Sequence, residues 1–196
     1  MALLQIKKRL MALAGMVLTI YLVIHMLVNL SFVDPATFNQ VYALYNQPLI
    51  RWPVWIVMVI ALALHVWVAV QIRRHNRKAR PIAYYHRQHH WIPSWLVSIV
   101  ISLILAFMIY HLAQMWFFGG ADIHGQTRKL FAEGHQVLIY LAGLGLMALH
   151  LGHALPNVLQ TLGKTSKQYL YLCLLLVALL IGGFAVVPIM AFWSTP

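Results

Sequence analysis

The sequence predicts an all-α integral membrane protein, a single domain over residues 1–196 with five transmembrane helices. Three observations carry this. The chain is 62% hydrophobic and only 9% charged, whereas about a quarter of the residues in a soluble domain are charged. Apolar runs of about 20 residues, long enough to cross a bilayer as a helix, recur along it. No window shows sustained strand alternation, and a helix satisfies its own backbone groups in lipid.

The spans are expected at about residues 10–32, 52–72, 92–117, 135–157 and 168–193. Lys7-Lys8-Arg9 ahead of the first run could mimic a signal peptide. No small-residue cleavage site precedes Phe32, so a retained first helix is expected. Pro35, Pro48 and Pro53 mark the first connection, Gly119-Gly120 the third, and Pro156 with Gly163 the fourth. Pro188 lies inside the last run and is a candidate kink. Trp52, Trp55, Trp91, Trp95, Trp116 and Trp193 cluster at segment ends, as an interfacial belt does.

The charges test this division. Lys7, Lys8 and Arg9 precede the first span, Arg73, Arg74, Arg77, Lys78, Arg80 and Arg87 fill the second connection, and Lys164 and Lys167 lie in the fourth, with no acid among them. The first and third connections hold Arg51, Arg128 and Lys129 together with all three acids, Asp34, Asp122 and Glu133. With five spans every basic segment falls on one side, which puts the N-terminus in the cytoplasm and the C-terminus outside. The strip from Arg73 to Arg87 reads first as a topology signal against anionic lipid headgroups. Its sharper reading is a docking face for a soluble partner, or salt partners for ligand carboxylates. A short strip pinned to a membrane argues against nucleic acid.

Eleven histidines remain to be explained. His75, His86, His89 and His90 fall in the basic connection, His124 in the external Gly-rich loop and His135 at a helix start, where solvated side chains are expected. The HRQHH run lacks the Cys or acid that would complete a metal site. His25, His65, His111 and His150 differ: each lies inside a separate apolar span. Burying an imidazole in hydrocarbon is costly unless something pairs with it. The stretch Gln136–Asn157, which carries His150 and His153, also holds Gly143, Gly145 and Gly152, where a helix or a flat ligand can come close.

At about 1.5 Å per residue, His25 and His111 stand roughly 22–28 Å from the cytoplasmic starts of their spans, toward the outer face. His65 and His150 stand roughly 20–22 Å from the outer face, toward the cytoplasm. Two levels with two histidines each, on different helices, suit two bis-histidine b-type haems in a four-helix core. Zinc would want more ligands per site, and a proton relay usually includes Asp or Glu. Helix–helix hydrogen bonding is the plainest reading of one such histidine, less so of four. His153, three residues after His150, is the alternative ligand, placed near a haem carboxylate or a quinone if His150 holds the iron. The lone Cys173 excludes an intrachain disulfide, and without CxxCH no covalent haem attachment is expected.

At this point the chain resembles the dihaem, cytochrome b558-type membrane anchor of succinate:quinone oxidoreductases and quinol:fumarate reductases. The resemblance rests on HMLVN at His25–Asn29, ATFNQVYALYNQP after it, LALHVWVAVQI around His65, MIYHLAQMW around His111 and LHLGHALPNVLQTLG around His150. It implies that His65 and His150 ligate a haem nearer the cytoplasm and His25 and His111 a distal one. It implies a flavoprotein subunit with FAD and an iron–sulfur subunit docked on the basic face, a quinone (menaquinone by analogy), a bacterial cytoplasmic membrane, and scope for a higher oligomer of the complex. Fumarate-reducing relatives carry an acid two positions before the fourth ligand, where this chain has Ala148, and some have a Glu near the outer end of the second helix, where only Asp34 and Arg51 are available. That favours succinate oxidation over the reverse direction. Asp34 is the candidate for handling quinone protons. Arg9, Arg74 and Lys164, with Lys8 and Arg73, are candidates for pairing with haem propionates by charge and position. Rival readings are another membrane cytochrome b, such as a hydrogenase or formate dehydrogenase anchor, and a haem-free anchor or transporter.

Overall fold

The computed structural model describes residues 2–78 and 94–194. Its described residues form helices α1 (Ala2–Leu30), α2 (Pro35–Tyr45), α3 (Pro48–Lys78), α4 (Ser94–Trp116), α5 (Ile123–Ala132), α6 (Gly134–Thr161) and α7 (Lys167–Trp193), with a 3-10 turn at Ser31–Val33 and no strand. Five of them, α1, α3, α4, α6 and α7, are long and apolar enough to cross a membrane. The protein is therefore an all-α, multi-pass membrane protein.

The spans overrun their apolar cores. α3 continues through Arg73 and Arg74 to Lys78, so these cations extend a helix rather than fill a loop. Lys and Arg are good helix formers and lose nothing by staying helical once past the hydrocarbon. α6 likewise passes through Pro156, which the sequence placed at a connection, and ends at Thr161. Its stop is a Schellman motif: Gly163 takes φ +80°, Gly163 N–H donates to Gln160 O at 3.0 Å, and Lys164 N–H donates to Leu159 O at 2.9 Å. α7 runs unbroken through Pro188.

The connections after α1 and α4 correct the expectation of turns and a glycine loop. Each holds a short helix that starts at an aspartate. The Asp34 carboxylate accepts from Thr37 N–H, with Pro35 at the first helical position, and the Asp122 carboxylate accepts from Gly125 N–H. These helices are too short to register as spans, but each has one buried face. Ile123, Thr127 and Phe131 recur every fourth residue along α5 and are buried. Ile123 and Phe131 join Phe32, Phe38, Val187 and Ala191 in a cluster closing one end of the bundle.

Among the spans, α1 packs on α3 and α7, α7 on α6, and α6 on α4. The order across the bundle is therefore α3, α1, α7, α6, α4. The histidine-free helix α7 lies in the middle of that order, with 28% of its apolar window buried against 11% for each of the first three spans. Gly183 of α7 admits Met26 of α1: the side chain lies where a Cβ would be, so only glycine allows the approach. Met26, Leu151, Val177 and Leu180 form the core of this α1–α6–α7 contact.

Candidate functional site

His25 projects from α1 with Tyr21, one turn earlier, stacked on it at 5.6 Å between ring centroids and 9° between planes. Phe184 of α7 closes another side at 5.5 Å. His111 of α4 faces His25 at 6.1 Å with the planes 59° apart. Phe107, one turn before His111, stacks on it at 6.2 Å. Gly143 of α6 makes room for that ring, since a Cβ there would lie 2.7 Å from three Phe107 carbons.

The second pair is His65 of α3 and His150 of α6, with ring centroids 6.3 Å apart and planes at 89°. Gly15 of α1 borders His65, where a Cβ would meet the imidazole Cε1 at 3.4 Å. His65 Nδ1 is buried against α1, beside Gly15 and the Met11 backbone, with no side-chain partner. His153 shares an apolar recess with His150, Val97, Val100 and Leu149. Its own ring is exposed and lies 3.2 Å from Asn157 Nδ2 on the same helix.

Neither α1 with α4 nor α3 with α6 is a closely packed helix pair. The imidazoles meet across the interior because they reach into it. A metal–imidazole bond is about 2.0 Å and a ring nitrogen lies about 1.1 Å from the ring centre, so two rings on opposite sides of one iron have centres about 6 Å apart. Both pairs have that spacing. Among the described residues no group of three or more His, Cys, Asp or Glu forms, so the donor sets are two imidazoles each. That suits haem, whose porphyrin supplies the other four ligands, better than zinc. The chemistry of the donors and their spacing fit bis-histidine haem.

The other candidates lie elsewhere. Asp34 is exposed and occupied as a helix cap, accepting from Thr37 N–H at 2.8 Å and Thr37 Oγ1–H at 2.6 Å. The Thr37 side-chain and backbone bonds hold its carboxyl below the usual aspartate range, so it stays ionised. Arg9, Arg74 and Lys164 are exposed, and the Lys164 ammonium lies 5.7 Å from the Tyr169 ring centre. His75 and His135 are exposed as expected. His124 corrects the expectation of a solvated loop: it is half-buried on α5 and stacks on Phe32 at 4.4 Å. The HRQHH run lies outside the described residues.

A polar cluster was missed. His111 Nδ1 is 3.1 Å from Tyr140 Oη. Tyr140 donates to Gln114 Oε1 at 2.8 Å, Gln114 Nε2 donates to Tyr110 Oη at 2.9 Å and to Gln136 Oε1 at 3.0 Å, and Tyr110 donates to Gln136 Oε1 at 2.6 Å. The available signal was spacing: Tyr110 with Gln114, and Gln136 with Tyr140, lie one turn apart in apolar segments.

No protein-family model, curated protein or solved structure matches this chain.

Proposed function

We propose that this chain is the membrane anchor and dihaem cytochrome b subunit of a succinate:quinone oxidoreductase, in a bacterial cytoplasmic membrane with its N-terminus inside. The observation that carries the reading is the convergence of four intramembrane histidines into two facing pairs, His25 with His111 and His65 with His150. These residues would each hold one side of a b haem, and bound haem supplies one-electron carriage.

The chain's own part is to hold and orient. Tyr21, Phe107 and Phe184 wedge the imidazoles of the outer pair, and Gly15 lets α1 lie against His65 of the inner one. His153, Arg9, Arg74 and Lys164 are the polar groups assigned to the haem carboxylates on the cytoplasmic side. Succinate chemistry belongs to an FAD-bearing flavoprotein and an iron–sulfur subunit docked on the basic face, and the electrons leave on a membrane quinone, menaquinone by analogy.

The test is a dithionite-reduced minus oxidised spectrum of the purified complex, with pyridine haemochrome quantified per chain. Two b haems per chain support the reading. One would show that a pair is misassigned, with His153 the first substitute to try, and none would return the histidines to helix packing.

A further inference from the structure

We propose that Tyr140 is a positioning residue that fixes the tautomer of His111, so that Nδ1 carries the proton and Nε2 keeps the lone pair a metal needs. A neutral imidazole has one N–H and one lone pair, and the partner of one nitrogen decides the role of the other. Tyr140 has a single proton, and that proton points to Gln114 Oε1 at 2.8 Å. Toward His111 Nδ1, at 3.1 Å, the hydroxyl can then only accept.

The rest of the cluster holds that polarity. Gln114 donates from Nε2 to both Tyr110 Oη and Gln136 Oε1, and Tyr110 donates to the same Gln136 oxygen. Gln136 Nε2 meanwhile faces His135 Nε2 at 3.3 Å. Turning over the Gln114 amide alone would set two oxygens face to face, and turning over Gln136 alone would set two amide nitrogens face to face. Only both at once reverse the chain, so the tautomer is held by four side chains acting as a unit rather than by one bond. The inner pair is built differently, since His65 Nδ1 lies against the α1 backbone at Met11 and Gly15 and has no side-chain partner like Tyr140. The two pairs should therefore differ in ligand basicity.

This deepens the dihaem reading and rests on it for its consequence, but the tautomer can be measured without haem. The experiment is 15N NMR of histidine-labelled protein in bilayers, with the His111 signals assigned by their loss in His111→Gln. A protonated Nδ1 and a bare Nε2 are expected. Tyr140→Phe should shift the Nδ1 signal as its hydrogen bond is lost, and Gln114→Leu should erode the Nδ1–H preference while leaving the hydroxyl in place. Tyr171→Phe, on the exposed side of α7, should leave both signals alone. In the haem-loaded complex Tyr140→Phe should raise the midpoint potential of one haem, the one that His111→Ala removes, and weaken its retention about 10-fold. A protonated Nε2 in the native protein would overturn the proposal, as would a Tyr140→Phe protein with unchanged signals and potentials. Preparations without haem would sink the cytochrome reading alone, and the NMR arm would still decide the tautomer.

Discussion

His65 and His150 sit on helices that do not pack closely against each other, yet their ring centroids are 6.3 Å apart with the planes at 89°. A simple helix–helix contact would not need two long-range, facing imidazoles, because either one could find a hydroxyl or carbonyl nearer its own backbone. His25 and His111 repeat the arrangement at 6.1 Å from a different pair of helices.

The first prediction follows from that duplication. His65→Ala and His111→Ala should each remove one b haem, and not the same one, because the two side chains belong to different pairs. Haemochrome quantification together with redox titration checks this. Loss of both haems in either variant, with the subunit still folded by circular dichroism, would contradict independent sites.

Gly143→Ala should destabilise the bundle by about 1–3 kcal/mol. The added methyl would sit 2.7 Å from carbons of the Phe107 ring, which is fixed between His111 and Tyr140. Gly145 has nothing within 4 Å, so Gly145→Ala should be neutral, or stabilising by about 0.5–1 kcal/mol through helix propensity. Thermal unfolding of the two variants in the same detergent separates them.

Phe38→Ala should cost about 3–5 kcal/mol by opening a cavity in the Phe32–Phe131 cluster, where Phe38 is 1% exposed and packs with Phe32 and Tyr42. The loss should show as a lower unfolding temperature with the His65–His150 haem still bound. Release of both haems at ambient temperature would mean that this cluster holds the whole bundle together.

Asp34→Asn should preserve quinone turnover, since Asn also caps a helix and the native carboxylate is engaged with Thr37. Asp34→Ala should loosen α2. The folded pKa of Asp34 lies below its unfolded value, so the carboxylate's contribution is complete above the unfolded pKa and is lost as pH falls through the folded one. The stability gap between native protein and Asp34→Ala should therefore hold at neutral pH and begin to fade below about pH 4. Abolished turnover in Asp34→Asn would give this residue the proton-handling role.

The sequence by itself determined the class, the five spans and the four intramembrane histidines. Each rests on something local: an apolar run long enough for a bilayer, or an imidazole inside it. It also sorted the histidines into two levels, because depth along a helix is a count of residues. The short connecting helices α2 and α5 escaped the span-length criterion, although Asp34-Pro35 and the four-residue spacing of Ile123, Thr127 and Phe131 marked them. Only the tertiary structure decided that α7 packs between α1 and α6 and that Gly183 lets Met26 in against it. Only it decided that Asp34 is occupied by Thr37, and that Tyr140, Gln114, Tyr110 and Gln136 join His111. Those facts depend on how far each helix is rotated about its own axis, and that rotation is set by packing between helices rather than by any single helix's hydropathy.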